Sequence, residues 1–432
     1  MLRRARGRRA AFVAGLRTPF VKAGAETREL DVLELARGAT VELLQRAELD
    51  PAEVQAVVYG NVARPVAYHN LARELVLAAG LPRSVPARTV SVACASACQA
   101  ITDVVDQIER GYLEVAIAGG AESLSNVPIG YSPRLARALV AASQARSLPE
   151  RVQSFAHLSI SDLAPQVPGI KETSTGLSMG ESAELMAKLN GITREDQDAF
   201  ALRSHQYAAA AWADGRLAAE VAPIYVPRNG GHAITRDNHI RQDTSLEKLA
   251  ALSPVFDRAH GTVTAGNSSP LTDGAASVLL MEEKKARALA YAPIACIRSY
   301  AYWAVDPADQ LLIGPAYAIP LALDRAGARL SDVGLVEMHE AFAAQVLSTL
   351  QKLDSREFAR EKLNRPAAVG SIDPQRLNVA GGSIALGHPF GATGARLLIT
   401  LANEMARRDV QLGLLSACAA GGIGCAMVLE RS

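Results

Sequence analysis

Twice along this chain, short apolar runs that read as strands alternate with longer stretches of helical periodicity, a pattern that few folds accommodate. In the first pass Arg9–Gly15 reads as a strand and Asp31–Ala47 as an amphipathic helix. Val54–Tyr59 is again strand-like and runs into Gly60–Asn61. Thr89–Ala93 is a short β-rich run, Cys94–Ile108 carries helical periodicity, and Leu113–Ala118 is a buried strand ending in Gly119–Gly120. In the second pass Val333–Met338 ends in His339–Glu340, and Asn378–Ala380 leads through a Gly-rich turn to a helix over Gly391–Arg407. Leu412–Ala417 and Ala426–Leu429 close the chain as strands. The pattern predicts an α/β protein of two similar halves facing each other, and a faint Ser/Cys echo between Ser91–Cys94 and Ser416–Ala419 points the same way.

A different region lies between the halves. Ile129–Lys171 is helix-like, with Arg134, Arg137, Arg146 and Arg151 interleaved with Leu135, Leu139, Val140, Leu148 and Val152. Met179–Leu189 and Arg194–Arg216 also read as helices. The predicted division is a first half over 1–128, an inserted loop domain over 129–255, a return segment over 256–285, and a second half over 286–432.

Composition excludes several classes. Lys plus Arg number 45 against 44 for Asp plus Glu, a net charge of +1, so no global field draws the chain to nucleic acid. Five cysteines, an odd number, argue for reduced thiols over a disulfide framework. Val410–Leu429 holds no charge and has the length of a membrane span, but its glycines and polar residues predict two buried strands instead. At the N-terminus, Arg3, Arg4, Arg6, Arg8 and Arg9 precede an apolar run too short for a secretory signal. A frayed basic tail is the expectation, an Arg-rich organellar tail the alternative.

Cys94 falls where a strand turns into a helix, and a helix N-terminus stabilises a thiolate. That makes it a candidate nucleophile. Cys98, Cys296 and Cys425 read as small buried hydrophobes, and Cys94-x-x-x-Cys98, which has the spacing of a metal pair, has no second pair at ligand spacing to complete a site. His388 stands in a tight turn, Gly387-His388-Pro389, between further glycines, and is a candidate general base. His339–Glu340 end a buried strand, where α/β enzymes keep their ligands. The Gly421–Gly422 region offers exposed backbone N–H groups suited to an oxyanion. Spacing alone does not join these groups.

Five motifs in order resemble the thiolase family almost end to end, from Arg17-Thr18-Pro19-Phe20 to the last strand. Val92-Ala93-Cys94-Ala95-Ser96-Ala97-Cys98 is similar to the family's nucleophile motif, and Gly119-Gly120-Ala121-Glu122-Ser123 to the strand end that follows it. Gly261 to Ser269, continued by Asp273-Gly274-Ala275-Ala276, is similar to the pantetheine-contacting segment. Asn378 to Arg396 resembles the Gly-His-Pro signature, and Cys418-Ala419-Ala420-Gly421-Gly422 the final motif. Three departures, His339-Glu340-Ala341-Phe342, Ala420 and Ser178 before Met179-Gly180, resemble the branch that includes the β-subunit of the fatty-acid oxidation trifunctional complex and its bacterial relatives. That branch also carries a long insertion similar to Ile129–Lys171.

The resemblance implies the thiolase fold, two βαβαβαββ halves in an α-β-α-β-α core with an inserted loop domain. It implies 3-ketoacyl-CoA cleavage with CoA, or else condensation of two acyl-CoAs; a non-catalytic acyl-CoA carrier is the reading from another class. Implied roles are Cys94 as nucleophile, His388 as base, Cys418 as second acid/base, and His339 holding a water for the oxyanion. Glu340 would orient this cluster, and the backbone N–H groups of Cys94 and Ala420 would form the other oxyanion site. Ser269, Arg241 and Met179 would contact CoA. No bound cofactor and no metal are implied, since coenzyme A enters as substrate. A homodimeric core, open to a tetramer, follows, with cytoplasmic location. So does a partner carrying hydratase and 3-hydroxyacyl-CoA dehydrogenase activities or, alternatively, peripheral membrane contact through residues 129–171.

Overall fold

The basic tail ends where the first strand begins, and its last two arginines are held at the sheet margin: Arg8 by Glu114 at 3.1 Å and Arg9 by Glu430 at 2.8 Å. The structure is a computed structural model that describes residues 7–166, 169, 171–226 and 233–432; the arginines at 3, 4 and 6 lie outside the described residues. The first half contains β1 (Ala10–Arg17), β2 (Val21–Lys22), α1 (Val32–Arg46), β3 (Ala56–Gly60), α2 (Leu71–Ala78), β4 (Ala87–Val90), α3 (Ser96–Glu109) and β5 (Val115–Glu122). Asp31 starts α1 with a capping box, its side chain accepting from Glu34 N while Glu34 accepts from Asp31 N. β3 and β5 are buried along their whole lengths, as central parallel strands are.

The inserted region supplies α4 (Pro133–Gln144), α5 (Leu148–Gln153), α6 (Met179–Asn190), α7 (Arg194–Ala213), the small pair β6 (Ile224–Tyr225) and β7 (Ala233–Ile234), and α8 (Leu246–Ala250). The chain then returns through β8 (Thr272–Glu282) and α9 (Glu283–Ala288). The second half contains β9 (Ala295–Ala304), α10 (Pro307–Gln310), α11 (Pro315–Ala326), β10 (Leu335–Met338), α12 (Ala343–Leu353), α13 (Arg356–Lys362), α14 (Ser383–Leu386), α15 (Thr393–Arg407), β11 (Leu412–Ala419) and β12 (Ile423–Arg431).

The principal sheet runs β4-β3-β5-β8-β1-β9-β12-β11-β10, the two halves meeting where Ala11 and Phe12 pair with Cys296 and Ala295. Within the first half β4, β3 and β5 are parallel, while β8 and β1 are antiparallel additions. The second half repeats this plan. A parallel bridge from Leu377 to Val336 stands in for the missing third strand, β10 and β11 are parallel, and β12 and β9 are antiparallel. The repeat is therefore one of topology. The Ser/Cys echo is not part of it, because Cys94 follows the third strand of its half and Cys418 ends the fourth strand of the other.

Five layers result. α1 and α2 cover the outer face of the first half, packing Leu35, Leu43 and Leu75 on Val57, Ile117 and Leu279. α11 and α12 cover the outer face of the second, against Val336, Leu414 and Val428. Between the two halves of the sheet lie α3 and α15, whose Ile101, Val104, Leu398 and Ile399 share one core with both. They touch at Gly394, where a Cβ would fall 2.6 Å from Cys98 N and Sγ. The glycine lets a helix of one half rest on a helix of the other.

Two expectations need correction. The β-rich run around Thr89 stops at Val90, and α3 starts at Ser96 instead of Cys94. Between them the chain turns through Ala93, whose φ of 44° is left-handed, so Cys94 is lifted clear of both elements. Strands β8 and β9 carried no strong β signal in sequence: β8 opens Thr-Asp-Gly-Ala-Ala, and burial between two neighbours overrides weak propensity. Val410–Leu429 contains β11 and most of β12, turning at Gly421–Gly422 with φ of 80° and 75°. Among the described residues no helix is long and apolar enough to cross a membrane.

Candidate active site

Cys94 and His388, 294 residues apart, meet with His388 Nε2 at 3.1 Å from Cys94 Sγ. Three glycines make this approach feasible. Gly60 at the end of β3, Gly120 in β5 and Gly391 just after the His388 turn pack backbone on backbone; a Cβ on Gly120 would lie 1.8 Å from Gly391 O. Glu122 locks the junction by accepting from Ala63 N at 2.8 Å, Gly391 N at 2.9 Å and Asn61 Nδ2 at 3.0 Å.

The proton on His388 can be assigned from its neighbours. Nδ1 lies 2.7 Å from Thr393 Oγ1, and that hydroxyl donates to Pro389 O at 3.1 Å. Thr393 therefore accepts from Nδ1–H, leaving the Nε2 lone pair for the Cys94 thiol. Burial and then Arg396 push the His388 imidazole down to about 3, so it is neutral. Burial pushes the Cys94 thiol up to about 12, against the backbone N–H groups of Ala420 and Cys94, which favour its anion. The helix N-terminus does not prevail here. The resting pair is a neutral thiol donating to a neutral imidazole, set to transfer its proton only as sulfur attacks.

Cys418, at the end of β11, is buried, and its thiol is held well above the ordinary range by burial and by Cys94 beside it. It packs in an apolar cluster with Val263, Ala341 and Ala344, against which Met179, the first residue of α6, also rests. The Ala420 N–H acts on Cys94, and the next donor, Gly421 N, is taken by Glu172 of the inserted region at 3.0 Å.

His339 is fully buried, its ring 4.1 Å from that of His388. Its Nδ1 lies 2.9 Å from Ser383 Oγ, and its Nε2 has no partner among the described residues. Cys94 Sγ and one ring nitrogen of each histidine lie within 4.8 Å of one another, a donor set that a soft cation could also use. Glu340 accepts from Ser204 Oγ and Asn378 Nδ2, both at 2.7 Å, and from Ile384 N at 3.2 Å. It braces the turn from Asn378 to Ile384 and, among the described residues, makes no hydrogen bond to His388 or Cys94.

The expected CoA contacts are distributed around this cluster. Ser269 donates its N–H to Ala341 O at 3.0 Å, and His388 N donates to Pro270 O at 3.2 Å, so this segment runs between the His339 and His388 loops. Arg241 is exposed and donates its backbone N–H to His205 Nδ1 at 3.2 Å, beside the Ser204 that holds Glu340. Residues that sequence reading did not single out are Thr393, Ser383, Arg396, Asn61 and Ser204. Only Thr393 and Ser383, each five residues from His388, carried a local hint.

Comparison with known proteins agrees with this geometry. The family model for the thiolase N-terminal domain matches residues 10–284, and that for the thiolase C-terminal domain matches residues 291–431. A 3-ketoacyl-CoA thiolase of Shewanella pealeana is 51% identical over 426 residues, covering 99% of this chain and 98% of that protein. One from Yersinia enterocolitica is 50% identical over 424 residues, covering 98% and 97%. Among solved structures, the Bacillus anthracis acetyl-CoA acetyltransferase and the human mitochondrial 3-ketoacyl-CoA thiolase each superimpose with a TM-score of 0.85 at 33% identity, covering 98% of this chain and 99% of theirs. On sequence, topology and the meeting of Cys94 with His388, the chain belongs to the thiolase family.

Proposed function

We propose that this protein is a 3-ketoacyl-CoA thiolase of fatty-acid β-oxidation, cleaving 3-ketoacyl-CoA with CoA to acetyl-CoA and a shortened acyl-CoA. The observation that carries the reading is the 3.1 Å contact between a neutral His388 lone pair and the Cys94 thiol, with the Cys418 thiol beside them. Cys94 Sγ attacks the keto carbon while His388 Nε2 takes its proton. The bond between C2 and C3 breaks, and Cys418, kept protonated by burial, gives its proton to the departing enolate of acetyl-CoA. Cys418, now a thiolate, deprotonates the incoming CoA thiol. That sulfur attacks the acyl-Cys94 thioester, and His388 returns a proton to Cys94. Splitting one hard step into two easier ones is what the covalent intermediate contributes.

The backbone N–H groups of Cys94 and Ala420 hold one oxyanion, and His388 with a water on His339 the other. Each such donor is typically worth about 2.7–4 kcal/mol. Glu340 acts through the turn it braces. Ser269 contacts pantetheine, Met179 the reacting end, and Arg241 the anionic adenosine end. CoA is a substrate and no bound cofactor takes part. Thiolysis of 3-ketoacyl-CoA by wild type and Cys94→Ala tests the assignment: loss of turnover with the fold intact supports it, and near-normal turnover overturns it. The alternative direction, condensation, predicts faster turnover of acetyl-CoA than of 3-ketoacyl-CoA with CoA.

The assembly reading rests on two surfaces. β4 pairs only with β3 among the described residues, leaving an edge strand directly before Cys94. We assign that edge to a homodimer. The inserted region exposes Ile160 (90%), Leu148 (73%) and Val152 (67%) near Arg134, Arg137 and Arg151. We assign this surface to a cytoplasmic partner subunit with hydratase and 3-hydroxyacyl-CoA dehydrogenase activities, which would hand on the 3-ketoacyl-CoA. Co-purification from native extract of its own organism, followed by identification of those activities, tests this. Flotation with anionic liposomes and no such partner would replace it with membrane contact. The same reading divides the chain into halves at 1–128 with 256–285 and 286–432, and an inserted domain at 129–255.

A further inference from the structure

The proton on His339 follows from its surroundings, as that on His388 does. Ser383 Oγ lies 2.9 Å from His339 Nδ1 and 3.0 Å from Arg396 Nη2. A guanidinium only donates, so the serine oxygen accepts from Arg396. The hydroxyl proton then has a single acceptor among the described residues, His339 Nδ1. A neutral imidazole that accepts at Nδ1 carries its proton on Nε2. The opposite tautomer would leave both the Ser383 proton and the Nε2 lone pair buried and unpaired, which is the costlier arrangement. Burial, His388 and Arg396 all hold His339 well below the ordinary imidazole value, so it is neutral. Arg396 is itself fixed: it is fully buried on α15, with Nη1 at 2.5 Å from Glu337 Oε1 of β10.

We propose that Ser383 and Arg396 are positioning residues for His339, holding its imidazole in the Nε2–H form so that it donates toward the enolate oxygen that becomes negative when the bond between C2 and C3 breaks. Nε2 has no partner among the described residues, and with Nδ1 engaged by Ser383 it is the nitrogen left to face the reacting groups. The two histidines thus serve one site in opposite tautomers. Thr393 leaves His388 a lone pair for the thiol proton, and Ser383 leaves His339 an N–H for the oxyanion. The inference rests on the assignment of Cys94 and His388 above and adds to it the device that sets the donor.

Ser383→Ala removes the hydroxyl and little volume. It is expected to lower kcat for thiolysis about 100-fold, the scale of losing one oxyanion donor, with KM within about twofold. Ser383→Thr, which keeps the hydroxyl, is expected to stay within about fivefold of wild type. The tautomer is read directly by ¹⁵N NMR of histidine-labelled protein, the His339 signal being assigned by its loss in His339→Asn. Protonated Nε2 is expected in wild type, with a shift toward protonated Nδ1 in Ser383→Ala. Protonated Nδ1 in wild type overturns the proposal, as does a folded Ser383→Ala within threefold of wild-type kcat. A threonine variant as slow as the alanine variant also counts against it, since packing rather than the hydroxyl would then matter. His339→Ala separates the two levels. Unchanged kcat there sinks the reading of His339 as a donor, whereas a large loss there beside a normal Ser383→Ala sinks only the relay.

Discussion

Gly120→Ala tests whether the glycine junction delivers the base to the nucleophile. In the native packing a Cβ at 120 would stand 1.8 Å from Gly391 O and 2.9 Å from Gly60 O, with backbone on both sides. Real Cβ contacts stop near 3.0 Å, so the Gly391 carbonyl must withdraw by about 1.2 Å. Gly391 lies three residues after His388 on the same tight turn, and the turn moves as a unit because Glu122 and Thr393 tie it down. A shift of that size carries the 3.1 Å contact between His388 and Cys94 past 4 Å, beyond hydrogen-bond reach. Misplacement of catalytic groups by about 1 Å costs roughly 100-fold in rate, and overpacking costs about 1–3 kcal/mol in stability. Steady-state thiolysis should therefore show kcat down about 100-fold, and chemical denaturation a lower midpoint with the fold retained. Gly130→Ala, whose Cβ meets Gln166 O at an ordinary 3.7 Å, should behave as wild type. A folded Gly120→Ala with kcat within threefold of wild type would refute the reasoning.

The neutral thiol–imidazole pair predicts an unusual pH profile for alkylation of Cys94 by iodoacetamide. His388 gains its proton near 3 and Cys94 loses its own near 12. With His388 taking the thiol proton as sulfur attacks, the reacting pair is the same from pH 6 to 9 and the rate should be flat, whereas attack by free thiolate would rise about tenfold per pH unit. An ordinary thiol of pKa ~8.5 would accelerate on the order of 100-fold over that range, and such a rise would count against the pair. Cys418→Ala should still form acyl-enzyme in a single turnover, slowed because the enolate must find another proton donor, while steady-state thiolysis falls further, at least about 100-fold; equal loss of both half-reactions would remove its separate role in deprotonating CoA. Glu122→Gln turns an amide N–H toward backbone and side-chain N–H donors, and should lower stability by about 1–3 kcal/mol in denaturant titration; an unchanged midpoint would show that the carboxylate does not lock the junction. Sedimentation should give a dimer, and a stable active monomer would disprove the edge-strand assignment.

Much of the site was legible because its chemistry lies in short contiguous motifs: Cys94 in its small-residue turn, His388 between glycine and proline, Cys418 before the final Gly-Gly. The alternation of strand and helix gave the two-halved core for the same local reason. What stayed hidden depends on neighbours distant in sequence. Strand β8 begins with polar and small residues and becomes a strand because β1 and β5 flank it. Ser383 and Arg396 look like ordinary members of a Gly-rich turn and a helix until the fold sets them against His339. The helix-dipole argument for a Cys94 thiolate failed because burial, invisible in sequence, outweighs a partial charge two residues away.

The central claim is that an acyl group resides on Cys94 during turnover. The direct measurement is mass spectrometry of protein quenched in acid milliseconds after mixing with 3-ketoacyl-CoA in the absence of CoA. The account predicts a mass increase equal to the shortened acyl chain, located on the peptide containing Cys94, absent in Cys94→Ala and removed on adding CoA. Acetyl-CoA release by wild type with no acylated peptide, or acylation located on Cys418 instead, would contradict it.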